Sequence, residues 1–110
     1  MAVIALDNDF QFDFDLYKDR VRLILLKDKT ELACRKERFS KLIQFADLNE
    51  GEIFKGRIKL FKWKTYIEVH FKNQLVGIID CKLFLNQVDK LRNLTLKKQT
   101  GFDYTEKNAL

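Results

Sequence analysis

Residues 10–94 read as one 46-residue unit written twice, and that duplication limits the possible folds more than any motif does. A shift of 46 sets Phe12 on Ile58, Phe14 on Leu60, Val21 on Ile67, Leu23 on Val69 and Leu25 on Phe71. It continues with Leu32 on Ile78, Phe39 on Leu85, Leu42 on Val88, Phe45 on Leu91 and Leu48 on Leu94. Apolar positions that recur at one offset make each copy the same supersecondary piece. The copies differ in charge: residues 1–50 hold 9 Lys/Arg against 10 Asp/Glu, a net of −1, and residues 51–110 hold 12 against 6, a net of +6.

The chain has no proline and four glycines, so side-chain alternation carries the assignment of elements. Phe10, Phe12, Phe14 and Leu16 alternate with polar residues, and Val21, Leu23 and Leu25 resume the apolar face after a turn at Lys18-Asp19. This register sets Asp15 across from Arg22. Asp28-Lys29 turns into a short strand over 30–34 with Leu32 facing inward, and Phe39, Leu42, Ile43 and Ala46 then mark an amphipathic helix over 35–48. Gly51 suits the left-handed residue that ends such a helix. In the second copy, strands are expected over 53–63, 66–72 and 76–80, followed by a helix to about Asn93 with Asp80 as its N-cap. Val3–Leu6 offers one further strand. The fold class expected is α+β: a duplicated βββα unit, about 3–48 and 49–94, forming one domain over 1–94. Each antiparallel sheet is backed by one helix, and residues 95–110 form a short flexible tail.

Alternation along 53–63 sends Phe54, Gly56, Ile58 and Leu60 inward and leaves Lys55, Arg57, Lys59, Phe61 and Trp63 outward. The next strand adds Tyr66, Glu68, His70 and Lys72 to the same surface. Rings that stack bases beside cations that follow phosphates suit single-stranded DNA or RNA, so the expected nucleic-acid-binding residues are Lys55, Arg57, Lys59, Phe61, Trp63, Tyr66, His70 and Lys72. A protein contact or a covering layer would use the same residues differently, and both readings stay open. The matching face of the first copy bears Gln11, Asp13, Asp15, Tyr17, Arg20 and Arg22, then Ile24, Leu26 and Ala33. Acidic at one end and apolar at the other, it reads as a surface for a protein partner or a homodimer rather than for phosphates.

Chemistry finds little support. The lone histidine, His70, has no motif linking it to a serine or cysteine, and one histidine with two separated cysteines is no metal set. Asp13 and Asp15 read as solvated charge, and no glycine loop for phosphate occurs. The expectation is therefore no enzyme, no cofactor and no metal. Nothing approaches the roughly 20 consecutive apolar residues of a membrane span, and the start MAVIALDND lacks a signal peptide's basic and apolar regions. These features, with only Cys34 and Cys81 as thiols, point to the cytoplasm and to two free cysteines at strand-to-helix junctions. The net charge of +5 permits an anionic partner without demanding one.

The duplicated strands-then-helix plan is similar in architecture to the PUR-repeat and PC4-like single-strand-binding folds, which use four strands per helix where three are legible here. Residues 50–80, EGEIFKGRIKLFKWKTYIEVHFKNQLVGIID, resemble the front half of an S1-type OB-fold. They share its opening Gly-Glu, its hydrophobic-Lys-Gly stretch, its aromatic turn and its following strand. That resemblance implies a ligand face lined by Phe61, Trp63, Tyr66 and His70. Past Asp80 a helix stands where the barrel strands would be.

Overall fold

The computed structural model describes residues 2–100, with side chains from Val3 to Thr95. The order is β1 (Ala2–Ala5), β2 (Phe10–Tyr17), β3 (Arg20–Lys27), β4 (Thr30–Arg38) and α1 (Phe39–Ala46). There follow β5 (Glu50–Ile53), β6 (Ile58–Trp63), β7 (Tyr66–Phe71), β8 (Gln74–Asp80) and α2 (Cys81–Thr100). Two antiparallel sheets result, β1-β2-β3-β4 and β5-β6-β7-β8, so the fold is α+β with a helix after each sheet. Each copy has four strands, not three.

The missed strand has a local cause. The stretch 53–63 is two strands, broken where Phe54 takes φ 74 and turns the chain. A left-handed phenylalanine carries no sequence cue. Burial holds it there, beneath the Arg35 guanidinium at 4.9 Å from its ring. Elsewhere the hairpins turn without glycine, through left-handed Asp28-Lys29 and Lys72-Asn73 and through Lys18 and Lys64. Gly51 ends no helix; it lies in β5 opposite Lys62, with the Leu48 side chain over it.

Strand β4 runs to Arg38 because Arg35–Arg38 pair with Arg20–Leu23 of β3, which shortens α1 to eight residues. A bulge at Leu25/Leu26 shifts the register beyond it. Leu32 therefore sits at the bulge, half-buried, and Ala33 takes the inward position opposite Leu25. The equivalent bulge in β8 leaves Ile78 exposed and turns Ile79 inward. Cys34 lies on the outer face in mid-strand rather than at a junction; Cys81 is at the β8–α2 junction, its thiol 3.4 Å from the Ala46 carbonyl, and neither is in a disulfide. Asp80 caps α2, its Oδ2 accepting from the Lys82 and Leu83 amides at 3.0 and 3.3 Å. That helix continues to Thr100, so 95–100 is not tail, and residues 101–110 lie outside the described residues.

Both copies contribute to one continuous core. Helix α2 lies against β2 as well as β8, and α1 against β5 as well as β4, so each helix touches both sheets. Phe84 of α2 meets Phe14 edge-on at 5.4 Å and Phe45 of α1 at 6.2 Å. Leu6 packs where Gly77 has no side chain, and the Asp7 amide donates to the Val76 carbonyl at 3.0 Å, tying the first sheet to β8.

Candidate nucleic-acid interface

Strand register builds the outer face of the second sheet row by row. Glu50, Trp63, Tyr66 and Asp80 stand in one row, Glu52, Phe61, Glu68 and Ile78 in the next, and Lys59, His70 and Leu75 in the third. The Lys64-Thr65 hairpin sets Trp63 and Tyr66 directly opposite, 38% and 37% exposed. Phe61 is half-buried and meets the His70 ring edge-on at 4.7 Å, while His70 Nε2 lies 3.0 Å from Glu68 Oε1. That contact puts the imidazole proton on Nε2 when the ring is neutral.

The cations expected on one strand face are spread differently. Lys59 is the only one of the four within a strand, its Nζ 3.3 Å from Asn73 Oδ1. Lys55 and Arg57 occupy the β5–β6 loop and Lys72 the β7–β8 turn, whose amide donates to the Arg57 carbonyl. The face is thus polar lengthwise: cations collect at the loop end, and Trp63 and Tyr66 lie at the other end between Glu50 and Asp80. A depression of about 290 Å³ opens beside the rings, lined by Glu50, Glu52, Phe61 and Trp63. Sequence alternation missed these carboxylates because Glu50 and Glu52 belong to the strand it did not find.

One residue on the inward side escaped notice. Lys62 is 3% exposed, and its Nζ donates to the Leu48 and Lys64 carbonyls at 2.6 and 2.5 Å. A buried ammonium that satisfies two carbonyls joins the segment after α1 to the β6–β7 turn. Lys62→Met should keep the packing volume but orphan both acceptors. A loss of about 1–2 kcal/mol in urea unfolding is expected, since charged hydrogen bonds outweigh the relief from burying an ammonium.

On the first sheet, Asp13 is buried rather than solvated, its Oδ1 accepting the Phe14 amide at 2.8 Å. Asp15 and Glu31 reach Arg22 at 3.4 and 3.6 Å. Burial works against the Arg22 charge, but its hydrogen bond to Asp15 and the charges of Glu31 and Asp15 outweigh it and raise its pKa. The apolar patch expected at Ile24, Leu26 and Ala33 does not form: Ile24 and Ala33 are buried, Ala33 on the core side, and Leu26 is half-buried. Among the described residues no helix is long and apolar enough to cross a membrane.

No protein family, curated protein or solved structure matches the chain.

Proposed function

We propose that the chain is a non-enzymatic, cytoplasmic binder of single-stranded DNA or RNA that uses the outer face of the second sheet. The observation that carries this reading is the Trp63–Tyr66 pair, two open rings directly opposite on one hairpin and in line with a cationic end. Phosphates would run past Lys55, Arg57, Lys59 and Lys72, with bases directed toward Phe61, His70 and the two open rings. The carboxylates flanking those rings favour this polarity, because they repel a backbone that strays from the loop end. Four strands per helix equal the count of the PUR-repeat and PC4-like folds that the plan resembles. The S1-type likeness stops at β8, since the second sheet is open and no strand closes a barrel among the described residues.

Trp63→Ala should weaken binding of a labelled single-stranded oligonucleotide by about 1–3 kcal/mol, the range of one base–ring stack. Arg57→Glu should flatten the fall of affinity with salt, since phosphate contacts set that slope. Fluorescence anisotropy reads both, and absence of binding at low salt would sink the proposal.

A specific observation favours protein docking as a second reading. Leu75 and Ile78 on the edge strand β8 are 45% and 54% exposed beside His70 and Glu68. Aliphatic side chains offer phosphates nothing, and they suit a protein surface or a second copy. Ile78→Glu separates the readings: it should abolish a protein contact while leaving affinity for an oligonucleotide within about twofold, since it adds one charge away from the cationic end.

A further inference from the structure

The extension of β4 to Arg38 changes the first sheet at its β2–β3 end. Lys36 and Arg38, which would otherwise start a helix, join the outer face. One row then reads Tyr17, Arg20, Arg38 and the next Asp15, Arg22, Lys36. Both cross-strand neighbours on β3 and β4 are like-charged pairs, Arg20 with Arg38 and Arg22 with Lys36. Like charges directly opposite destabilise an antiparallel pair. The carboxylates within ion-pair distance, Asp15 and Glu31, both engage Arg22, and Glu37 Oε2 accepts from the Arg38 amide at 3.0 Å. Among the described residues Arg20, Lys36 and Arg38 have no carboxylate within ion-pair distance. The exposed Tyr17 ring lies beneath Lys36 Nζ at 4.0 Å, with Lys18 Nζ at 5.5 Å.

Protection of a sheet edge accounts for part of this. Strand β4 is an edge, where Lys and Arg discourage pairing with another chain. It does not account for Arg20 and Arg22, which lie on the inner strand β3. A repulsion built across two strands, with Asp15 and Glu31 already engaged by Arg22, is relieved by a bound anion that spans both. Successive outward positions on one strand lie about 6.6 Å apart, so a linear polyanion following β3 and β4 meets a pair of cations at each step. The repeat supplies a further parallel: Tyr17 is the counterpart of Trp63 at the offset of 46, an exposed ring at the same hairpin position.

We propose that this end of the first sheet, built from Tyr17, Arg20, Arg22, Lys36 and Arg38, is a second contact face for single-stranded nucleic acid, one that grips the phosphodiester backbone. The inference rests on the nucleic-acid reading and adds a site on the opposite copy, where sequence alternation placed Tyr17, Arg20 and Arg22 but not Lys36 and Arg38.

The test is the double variant Arg20→Glu/Lys36→Glu, which turns both like-charged pairs into opposite-charged ones. The fold is therefore retained, with a thermal midpoint at or above that of the wild type. Binding of a labelled single-stranded oligonucleotide, followed by anisotropy over a salt series, should weaken at least about tenfold at low salt. The slope of log affinity against log salt should fall by about 1.4, as about 0.7 is lost per phosphate contact on a single strand. Trp63→Ala should leave that slope unchanged. If the double variant keeps wild-type affinity and slope while Trp63→Ala weakens binding, this face is no binding site and the second sheet acts alone. If the wild type binds no oligonucleotide, the functional reading falls and this inference falls with it. Equal binding of polyglutamate at the same salt would overturn the phosphate assignment and give the face to an acidic protein.

Discussion

Replacing Phe84 by alanine should remove about 3–5 kcal/mol of stability, a large share of what a domain of this size possesses. Phe84 is fully buried and is the point at which α2, α1 and the first sheet meet, edge-on to both Phe14 and Phe45. The Phe12–Phe14 contact at 5.3 Å extends the same aromatic chain into β2. Truncation removes the transfer energy of the ring and both edge contacts, and it leaves a cavity whose walls belong to three elements that cannot all close on it. Urea unfolding followed by circular dichroism checks the value; a loss below about 1 kcal/mol would mean that the site collapses freely and α2 is held elsewhere. Phe45→Ala, from the shorter helix, should cost less than Phe84→Ala, because Phe45 makes one of those edge contacts rather than both.

Gly77→Val should cost about 3 kcal/mol, at the upper end of overpacking. A Cβ at Gly77 would stand 2.6 Å from Leu6 Cβ and 2.7 Å from Leu6 Cδ2, and valine adds two methyl groups to that overlap. The Leu6 Cβ is fixed to the backbone, so relief requires moving the chain after β1, which also carries the Asp7–Val76 hydrogen bond between sheets. Leu6→Ala combined with Gly77→Val should recover only part of the loss, since it removes the Cδ2 and Cγ contacts at 2.7 and 3.0 Å but keeps the Cβ contact at 2.6 Å. Double-mutant unfolding tests this coupling, and additive losses would show that Leu6 and Gly77 do not share the space.

The rings of the second copy and Lys59 were legible because alternation in β6 and β7 is unbroken, so odd and even side chains separate without knowledge of the neighbours. Lys55, Arg57 and Lys72 fall in loops that alternation does not reach. Trp63, Tyr66, Phe61 and His70 share one face for that reason alone. Their surroundings were not legible. Glu50 and Glu52 flank the rings only because a four-residue edge strand forms, and a polar stretch that short has no periodicity to reveal it. Lys36 and Arg38 reach the first sheet's face only because β4 outruns the point where a helix could begin. Leu32 and Ala33 exchanged roles through a bulge, a one-residue shift that inverts every side chain beyond it.

By itself the chain's amino-acid order determined the duplication, the hairpins and most of the inward apolar residues, since these follow from spacing along a single strand or helix. Bulges took Leu32 and Ile78 out of that inward set. Tertiary structure alone decided which carboxylates stand beside the rings and which arginines oppose one another across β3 and β4. It also joined both copies into one core through Phe84 and Leu6. The division is physical: periodicity is a property of one segment, whereas charge pairing and packing belong to residues brought together by register, bulges and left-handed turns.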